Sequence, residues 1–517
     1  MSGVRYPALY EWNSRILLNE TAHALGRTAT LDDVPDSALD RLSSLGFDWV
    51  WMLGMWATGP AGRSVSRRRT DWREGFLVDL PDLADEDVCG SPFAIRLYEP
   101  SADFGGIEAL ARFRKRLIDR GLRLMLDFVP NHTALDHPWV REHPEFYVQG
   151  SEDDLAREPE NYGRVETEHG PRIFAHGRDP NFPAWVDTWQ LNYRHGGLRA
   201  AMTDELIRIA GWCDGLRCDM AMLIQPDVFL KTWGERSLPA DGTPPVDLPF
   251  WPGAIAAAKW VNPDFTMMAE VYWDLEWPLL QEGFDYTYDK RLYDRLRHGD
   301  ALSIREHLQA DLTYQGRMVR FLENHDEPRA AEAFEPARLR ASAVAAYLTP
   351  GMRFFHDGQL VGRRRRTSVH LGRRAFEEPD PALSAFYERL LGVLRWSEVR
   401  TGRWRLLEVR PAWEGNTSCD QFLAYVWDFL GPPAWRVLVA VNFGPVQGQC
   451  FVQLPFPDLP GSAFVLSDLM GTVRYERDGT DLASRGLYLD IPAWRYHAFD
   501  MERANAPADS PLVMSHL

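Results

Sequence analysis

Three stretches of the chain are apolar over several residues and then end in a carboxylate. They occupy residues 215–219, 266–270 and 321–326. A buried, unpaired carboxylate is costly, so such a strand must be buried along its length and accessible at its end. A barrel of parallel strands meets both demands, because its strand ends gather at one mouth. The sequence therefore predicts that Asp219, Glu270 and Asp326 meet at the mouth of a barrel.

Strand-like apolar runs alternate with amphipathic helical stretches over roughly the first 400 residues. The predicted helix at 198–212, for example, leads directly into the strand that ends at Asp219. This alternation indicates parallel strands joined by crossover helices. The predicted strands number eight and lie at residues 10–18, 45–52, 122–127, 215–219, 266–270, 284–286, 318–322 and 352–355. We therefore expect an α/β protein with a (β/α)₈ TIM barrel.

Two parts of the chain do not follow this alternation. One is rich in Pro, His, Glu and Asp and is too long for a plain connection, which predicts an inserted subdomain after the third strand, lying over the mouth. The other has short strands separated by turn residues and predicts a C-terminal antiparallel β-sandwich. We expect the barrel at residues 1–132 and 199–402, with the inserted subdomain at 133–198 between these two parts. The sandwich is expected at 403–505, and a mobile tail at 506–517.

Two arginine-rich segments interrupt the predicted elements. Residues 60–75 are interpreted as a solvated loop. Residues 363–366 follow the eighth strand and are interpreted in the same way. For the second segment the alternative is a basic lip on the face that carries the three acids, able to contact an anionic or polyhydroxyl group.

Composition excludes several classes of partner. The net charge of the 517 residues is −17, which argues against nucleic acid and anionic membranes, since both attract basic surfaces. No apolar run approaches the roughly 20 residues of a membrane span, and the first residues lack the apolar core of a signal peptide. The five cysteines contain no CxxC pair, which favours free thiols in a reducing, cytoplasmic compartment. The oligomeric state is left open.

Four short motifs in one order carry a family resemblance. They are Asp-Phe-Val-Pro-Asn-His, Gly-Leu-Arg-Cys-Asp, Ala-Glu and Glu-Asn-His-Asp, at residues 127–132, 215–219, 269–270 and 323–326, with a looser fifth motif at 190–192. Together they resemble the α-amylase family of retaining glycosidases and transglycosidases, glycoside hydrolase family 13. The resemblance covers nearly the whole chain, including the insertion and the C-terminal sandwich. It implies a retaining glycosidase that acts on α-glucosidic linkages of small α-glucosides or maltooligosaccharides through a covalent glucosyl-enzyme intermediate.

The spacing and surroundings of two acids fit the roles that the resemblance implies. Asp219 is expected to be the nucleophile. Arg217 lies two residues earlier on the same face of its strand, so we expect it to bind Asp219 and to hold the pKa of that carboxyl down. Glu270 is expected to be the general acid and base, because its apolar neighbours should raise its pKa.

The resemblance also implies the residues that contact the sugar. Asp326 would stabilise the transition state, while His132 and His325 would donate hydrogen bonds to hydroxyls of the same sugar. Asp127 would orient Arg217. Phe93 would replace a tyrosine that stacks on the sugar in the cleavage subsite, and so would keep the stacking without the hydroxyl.

No cofactor is required by this chemistry, but many relatives hold a structural Ca²⁺. Asn131 matches the position of one calcium ligand in them, and the insertion offers oxygens at Asp153, Asp154 and Asp187. Calcium needs six to eight oxygen ligands, so Asn131 is a candidate member of a larger set.

One departure bears on substrate. Amylases that cut long starch chains often carry Lys-His three and four residues after the nucleophile, where this chain has Met222 and Leu223. That change argues against an endo-acting starch amylase.

Two alternatives stay open. The first is a transglucosidase or isomerase acting on sucrose, trehalose or maltooligosaccharides, because transfer and hydrolysis use the same catalytic residues. The second, more remote alternative is a non-catalytic binding protein with the amylase fold. Such proteins have lost catalytic carboxylates and carry a transmembrane helix, whereas this chain has all three acids and no such helix.

Overall fold

The core of the protein is a closed barrel of eight parallel strands. The computed structural model describes residues 5–168, 170–429 and 435–504. Each barrel strand pairs in parallel with the next along the chain, and the last pairs with the first. The strands are β1 (Ala8–Asn13), β2 (Trp49–Leu53), β3 (Arg123–Phe128), β4 (Gly215–Cys218), β5 (Thr266–Ala269), β6 (Tyr286–Tyr288), β7 (Met318–Arg320) and β8 (Met352–His356). Each predicted strand overlaps an observed one, which confirms the TIM-barrel prediction.

Helices connect the strands and cover the outside of the barrel. The strands are almost continuously apolar because both of their faces are buried, one in the barrel interior and one under the helices. The helices of the barrel are Ser14–Leu25, Asp36–Ser44, Gly106–Ile118, Gly196–Ala210, Pro226–Trp233, Trp251–Val261, Glu276–Gln281, Lys290–His298, Ala301–Leu308, Leu312–Gln315, Ala330–Ala333, Pro336–Tyr347, Pro381–Leu394 and Ser397–Thr401.

Three local predictions differ from the structure. The first predicted strand, 10–18, is wrong in its second half, because Asn13 accepts hydrogen bonds from the backbone N–H groups of Arg15 and Ile16 and so caps a helix. The predicted loop at 60–75 is wrong, since this region forms two helices, Pro60–Arg68 and Thr70–Asp79.

The third difference concerns Asp326. The strand β7 ends at Arg320, six residues before this acid, so Asp326 lies in the following loop and not at a strand end. The expected loop at 363–366 is present.

The region between β3 and β4 folds into small sheets. His132–Ala134 pairs with Thr188–Gln190, and Tyr162–Thr167 forms a hairpin with Gly170–Ala175. Two short helices, Trp139–Glu142 and Glu152–Arg157, accompany them. A separate two-stranded sheet after β2 joins Trp56–Thr58 to Ile95–Pro100. The exact domain boundaries remain a prediction, and the proposed tail at 506–517 lies outside the described residues.

The C-terminal part is an antiparallel sandwich of two sheets, as predicted. The larger sheet contains six strands: Arg403–Leu406, Phe422–Asp428, Arg436–Asn442, Tyr496–Arg503, Ala463–Asp468 and Arg474–Asp478. The smaller contains Val409–Pro411, Gly448–Val452 and Leu487–Ile491, and the helix Gly479–Arg485 contacts the strand Arg474–Asp478 of the larger sheet.

Alternate residues of the strand Phe422–Asp428 join two different cores. Leu423, Tyr425 and Trp427 pack with the barrel helices. Phe422, Ala424 and Val426 pack between the two sheets. The indole N–H of Trp427 donates to the backbone oxygen of Leu348 at 2.7 Å. This strand therefore joins the sandwich to the barrel.

No helix in the described part of the chain combines the length and hydrophobicity that crossing a membrane requires.

We expect Trp427→Ala to lower the free energy of unfolding by about 3–5 kcal/mol, because a fully buried indole is replaced by a cavity. Urea unfolding followed by circular dichroism measures the change. The matched control is Trp413→Ala, since this tryptophan is 56% exposed, and its effect should stay within about 0.5 kcal/mol. Equal effects of the two substitutions would contradict the role of Trp427 at the junction.

Candidate active site

The guanidinium of Arg217 lies between two of the three acids. Its Nη1 donates to Asp219 Oδ1, and its Nη2 lies 2.7 Å from Glu270 Oε2. Arg217 belongs to β4, and the acids directly follow β4 and β5, which are neighbours in the barrel. The contact expected from the Arg217–Asp219 spacing is therefore present, and the same cation also binds Glu270.

Aromatic rings fix the position of this guanidinium. The rings of Trp51, Phe93 and Tyr288 lie 5.3, 5.4 and 5.7 Å from the central carbon of Arg217. Such contacts attract a cation and exclude water from it. Burial disfavours the charge, but Glu270, Tyr288 and Asp219 outweigh burial and raise the pKa of Arg217. The centre of the site is thus a permanent, desolvated positive charge.

Asp219 is buried at the end of β4, with 7% of its surface exposed. Burial raises the pKa of Asp219 above its ordinary value, although Arg217 acts in the opposite direction. The expectation that Arg217 would hold this pKa down is therefore wrong in its net sign, because desolvation outweighs the ion pair. Arg217 limits the shift and favours the ionised form that a nucleophile needs.

Glu270 accepts hydrogen bonds at both of its oxygens. The backbone N–H of Met220 donates to Oε2 and the hydroxyl of Tyr272 donates to Oε1, each at 2.8 Å. Burial raises the pKa of Glu270 to about 7, against the opposing charge of Arg217. The predicted direction of this shift is present, and it keeps a proton on Glu270 up to near-neutral pH.

The donor from Met220 depends on an unusual backbone conformation. Met220 has a φ of 42°, in the left-handed region that residues with a side chain seldom adopt. It directly follows Asp219, so the reversal turns the chain at the end of β4 and directs the Met220 N–H at Glu270. Local strain of this kind persists where surrounding contacts over-determine it, and it occurs often at functional sites.

Asp326 lies at the mouth, with 48% of its side chain exposed. His325 Nε2 is 3.0 Å from Asp326 Oδ2. Desolvation of its inner half acts to raise the pKa of Asp326, but His325 and Arg217 outweigh this effect and leave the pKa below its ordinary value. The third acid is therefore ionised and open to solvent, unlike the other two.

Phe93 and His132 lie near this centre. The ring of Phe93 contacts both Arg217 and His325, at 5.4 Å in each case. The imidazole of His132 packs 5.2 Å from the ring of Trp185 and hydrogen-bonds to the backbone of Phe93. Burial lowers the pKa of His132 to about 3, so this histidine is neutral. Its contacts with a sugar stay a prediction.

Asp127 acts differently from the expectation. Its carboxylate accepts from Trp51 Nε1 at 3.0 Å and from the backbone N–H of Gly54 at 2.7 Å. Among the contacts of the described residues, no hydrogen bond or ion pair joins Asp127 to Arg217. Asp127 therefore holds Trp51, and Trp51 in turn lies against Arg217, so any orienting effect is indirect.

Asn131 is saturated by a protein partner. Its amide exchanges hydrogen bonds with the side chain of Gln190, donating to Oε1 at 3.1 Å and accepting from Nε2 at 3.0 Å. Asp154 completes a capping box at the start of the helix Glu152–Arg157, where its carboxylate accepts from the backbone N–H of Ser151, and it pairs with Arg157 and Arg236. Within the described residues, no group of three or more His, Cys, Asp or Glu is arranged to hold a metal. These contacts do not fit a calcium site at Asn131, which stays an untested prediction.

The site also contains three groups that the sequence does not predict, namely Tyr272, Tyr288 and the backbone N–H of Met220. Tyr272 could have been found, because it stands two residues after Glu270 as Asp219 stands two after Arg217, and residues at that spacing share a face of a strand. The left-handed turn at Met220 has no such signal. Met222 and Leu223 are buried in the turn Ala221–Ile224, so this turn offers the site no polar side chain at the two positions.

Comparison with known proteins agrees with this geometry. Residues 96–378, more than half of the chain, match the model of the alpha-amylase catalytic domain. The chain belongs to the alpha-amylase family. The family assignment agrees with the fold and with the order of the four motifs.

Relatives of this alpha-amylase family member are distant and longer. Alpha-amylase MalA of Haloarcula japonica is 25% identical over 424 residues, which are 80% of this chain and 52% of the relative. An alpha-1,4-glucan:maltose-1-phosphate maltosyltransferase of Rhodospirillum rubrum is 22% identical over 495 residues, 92% of this chain and 63% of the relative. The chain thus spans about half to two thirds of the length of these two relatives.

Solved structures share the fold over nearly the whole chain. The maltogenic alpha-amylase AmyB from Thermotoga neapolitana has a TM-score of 0.66 at 17% identity, covering 96% of this chain and 98% of that one. An alpha-amylase from Lactobacillus plantarum has a TM-score of 0.65 at 18% identity, with coverages of 96% and 99%. At this identity the likeness establishes the fold alone.

We expect kcat/KM to fall above about pH 7. Burial raises the pKa of Glu270 to about 7, so below this pH the residue carries the proton that a general acid must donate, and above it the proton is lost. A pH profile of kcat/KM on maltose, whose leaving group needs protonation, measures this limb, and Glu270→Gln should remove it from the residual activity because the amide does not titrate. An unchanged alkaline limb in that variant would contradict the assignment.

Proposed function

We propose that this protein is a retaining glycosidase that acts on α-glucosidic linkages of small α-glucosides or maltooligosaccharides. The arrangement of Asp219 and Glu270 on one guanidinium carries the proposal. Both acids contact Arg217, so they lie near one another, as a retaining mechanism requires with its carboxyl separation of about 5–5.5 Å. Their different partners support different roles.

In the proposed first step, Asp219 attacks the anomeric carbon while Glu270 protonates the departing oxygen. The bond from the anomeric carbon to the leaving oxygen breaks, and an ester to Asp219 forms. Arg217 contacts both groups and stabilises Asp219 as an anion before the attack. The negative charge of Asp326 at the mouth favours the positive charge that develops on the sugar.

In the proposed second step, Glu270 acts as a base. It removes a proton from water or from a sugar hydroxyl, which attacks the anomeric carbon and releases Asp219. Tyr272 and the Met220 N–H hold the carboxyl of Glu270 in one orientation through both steps. The exposed indole of Trp273, next to Tyr272, offers a flat apolar face to a sugar ring at the edge of the site.

Transfer to a sugar hydroxyl is the second candidate function. Several relatives are named alpha-1,4-glucan:maltose-1-phosphate maltosyltransferase, including one from Salinibacter ruber that is 29% identical over 37% of this chain and 28% of the relative. The buried, apolar Met222 and Leu223 disfavour a polar subsite for a long starch chain at that point of the site. A non-catalytic binding role is disfavoured by the presence and partners of all three acids.

We also propose that the protein works in the cytoplasm without nucleic acid or membrane partners. Its five cysteines, all in described residues, are free thiols, which fits a reducing compartment. The net charge of −17 disfavours polyanionic partners.

Incubation with a panel of α-glucosides, sucrose, trehalose and maltooligosaccharides tests the proposed function. Free glucose and new oligosaccharides are measured together by chromatography, and the anomer first released is determined by NMR. Release with retained configuration supports the proposal, and the ratio of glucose to oligosaccharides separates hydrolysis from transfer. Release of the inverted anomer, or no turnover of any α-glucoside, would overturn it.

We expect Asp219→Asn to reduce kcat on every substrate by at least about 10⁴-fold, because the nucleophile is lost while its volume remains. Circular dichroism should show an unchanged fold. Substantial turnover by this variant, with deamidation excluded by mass spectrometry, would assign the nucleophile elsewhere.

Glu270→Gln should affect substrates unequally. The first step with an activated aryl glucoside needs little protonation, so its kcat/KM should fall far less than that of maltose. Equal losses on the two substrates would count against Glu270 as the proton donor.

A further inference from the structure

A chain of alternating charges runs from the mouth into the barrel behind Asp326. His325 Nε2 lies 3.0 Å from Asp326 Oδ2, and His325 Nδ1 lies 2.6 Å from Glu11 Oε1. Glu11 belongs to β1, more than 300 residues away in sequence, and its side chain is completely buried. The imidazole is therefore placed between two carboxylates, one at the surface and one in the interior.

This placement constrains the protons on the ring. Nδ1 of His325 hydrogen-bonds to Glu11 Oε1, whereas Nε2 faces Asp326 Oδ2 at 3.0 Å as a charge contact and has no hydrogen-bond partner among the described residues. A carboxylate oxygen only accepts hydrogen bonds. A neutral imidazole has only one N–H, so the lone pair of its other nitrogen would face a lone pair of a carboxylate oxygen. Only the doubly protonated ring presents an N–H, and not a lone pair, to both carboxylates.

Glu11 is itself poorly compensated without that cation. Its Oε2 has no hydrogen-bond partner in the residues that the structure describes, and His356 Nε2 is 3.9 Å away. A carboxylate without a partner in a barrel interior is expensive. The close contact with His325 is the one that compensates its charge most directly.

Other charged and titratable groups also act on His325 and its two partners. They are Asp127, Arg217, Asp219, Glu270, Tyr272, Tyr288, His356 and Arg366, contributed by β3, β4, β6, β8 and the loops that follow β4, β5 and β8. Burial disfavours the charged ring, but Asp326 and Glu11 outweigh burial and raise the pKa of His325 well above its ordinary value. The rings of Trp51 and Phe93 restrict its orientation, with centroids at 5.4 Å in each case.

We propose that Glu11 is a positioning residue that holds His325 as an imidazolium and directs its Nε2–H towards Asp326 and the sugar site. The role in catalysis rests on the proposed function, whereas the charge state of His325 does not. With the ring held charged, the Nε2–H can be shared between Asp326 and a substrate hydroxyl without a change of tautomer. Glu11 contacts His325 and lies behind it, so it acts through the histidine.

Three variants separate charge from packing. Glu11→Gln keeps the size and removes the charge, and Glu11→Asp keeps the charge on a shorter side chain. The matched control is Glu276→Gln, which also removes a buried carboxyl, since Glu276 is 5% exposed. Glu276 lies on the helix Glu276–Gln281 and is not one of the charged groups that act on His325. Thermal unfolding of each variant shows whether it folds.

The direct test is NMR titration of the purified, full-length protein labelled at histidine ring carbons and nitrogens. The His325 signals are assigned by their loss in His325→Gln. In the unaltered protein and in Glu276→Gln, we expect His325 to stay doubly protonated to a clearly higher pH than a free histidine does. In Glu11→Gln it should titrate at least about one pH unit lower, and Glu11→Asp should recover part of that shift.

Kinetics supply the second measurement. In Glu11→Gln we expect kcat/KM to fall by about 10-fold or more at pH 8 and by less at pH 6, because the ring regains its proton at low pH. A loss that is equal at every pH would indicate a packing role and would overturn the proposal. The proposal would also be overturned if His325 titrated at the same pH with and without the Glu11 carboxylate, regardless of the kinetic result. If the NMR shift appears but no α-glucoside is turned over by the unaltered protein, the proposed function fails and the charge assignment stands.

Discussion

The site depends on one buried cation. Arg217 lies inside the barrel among aromatic rings, where an isolated charge is very unfavourable, and its guanidinium is compensated by Asp219 and Glu270. The same interaction brings two acids from neighbouring strands to one point and limits how far burial can neutralise them. Removing Arg217 would leave two desolvated carboxyls facing each other, which could not both be ionised.

Much of this arrangement could be predicted from the sequence, since strand periodicity places alternate residues on one face. That rule gives the contact of Arg217 with Asp219, whereas the alternation of strands with helices predicts the barrel of eight parallel strands. Neither pattern gives contacts between strands far apart in sequence, such as Glu11 with His325, because these depend on closure of the barrel. The net pKa shift of Asp219 also required the structure, since burial and Arg217 act in opposite directions and only the extent of burial decides the sign.

Local backbone chemistry accounts for the remaining misses. Residues 10–18 are an apolar stretch that resembles one long strand. The side chain of Asn13 caps the helix Ser14–Leu25, so the strand ends there and the following residues are helical. Residues 60–79 form two helices although their arginines and glycines are typical of a loop. In the second helix, Phe76 packs into a small core with Leu80, Val88 and Leu371. In both regions a few contacts outweigh the composition of the segment.

Trapping the covalent intermediate tests the central claim most directly. The protein is incubated with a 5-fluoro-α-glucosyl fluoride, whose ester to the enzyme hydrolyses slowly, and is then digested and analysed by mass spectrometry. We expect one fluoroglucosyl group per chain, attached to Asp219. A label on Glu270, on Asp326 or outside the barrel mouth would contradict the account, as would turnover of the reagent through an inverted product without any label.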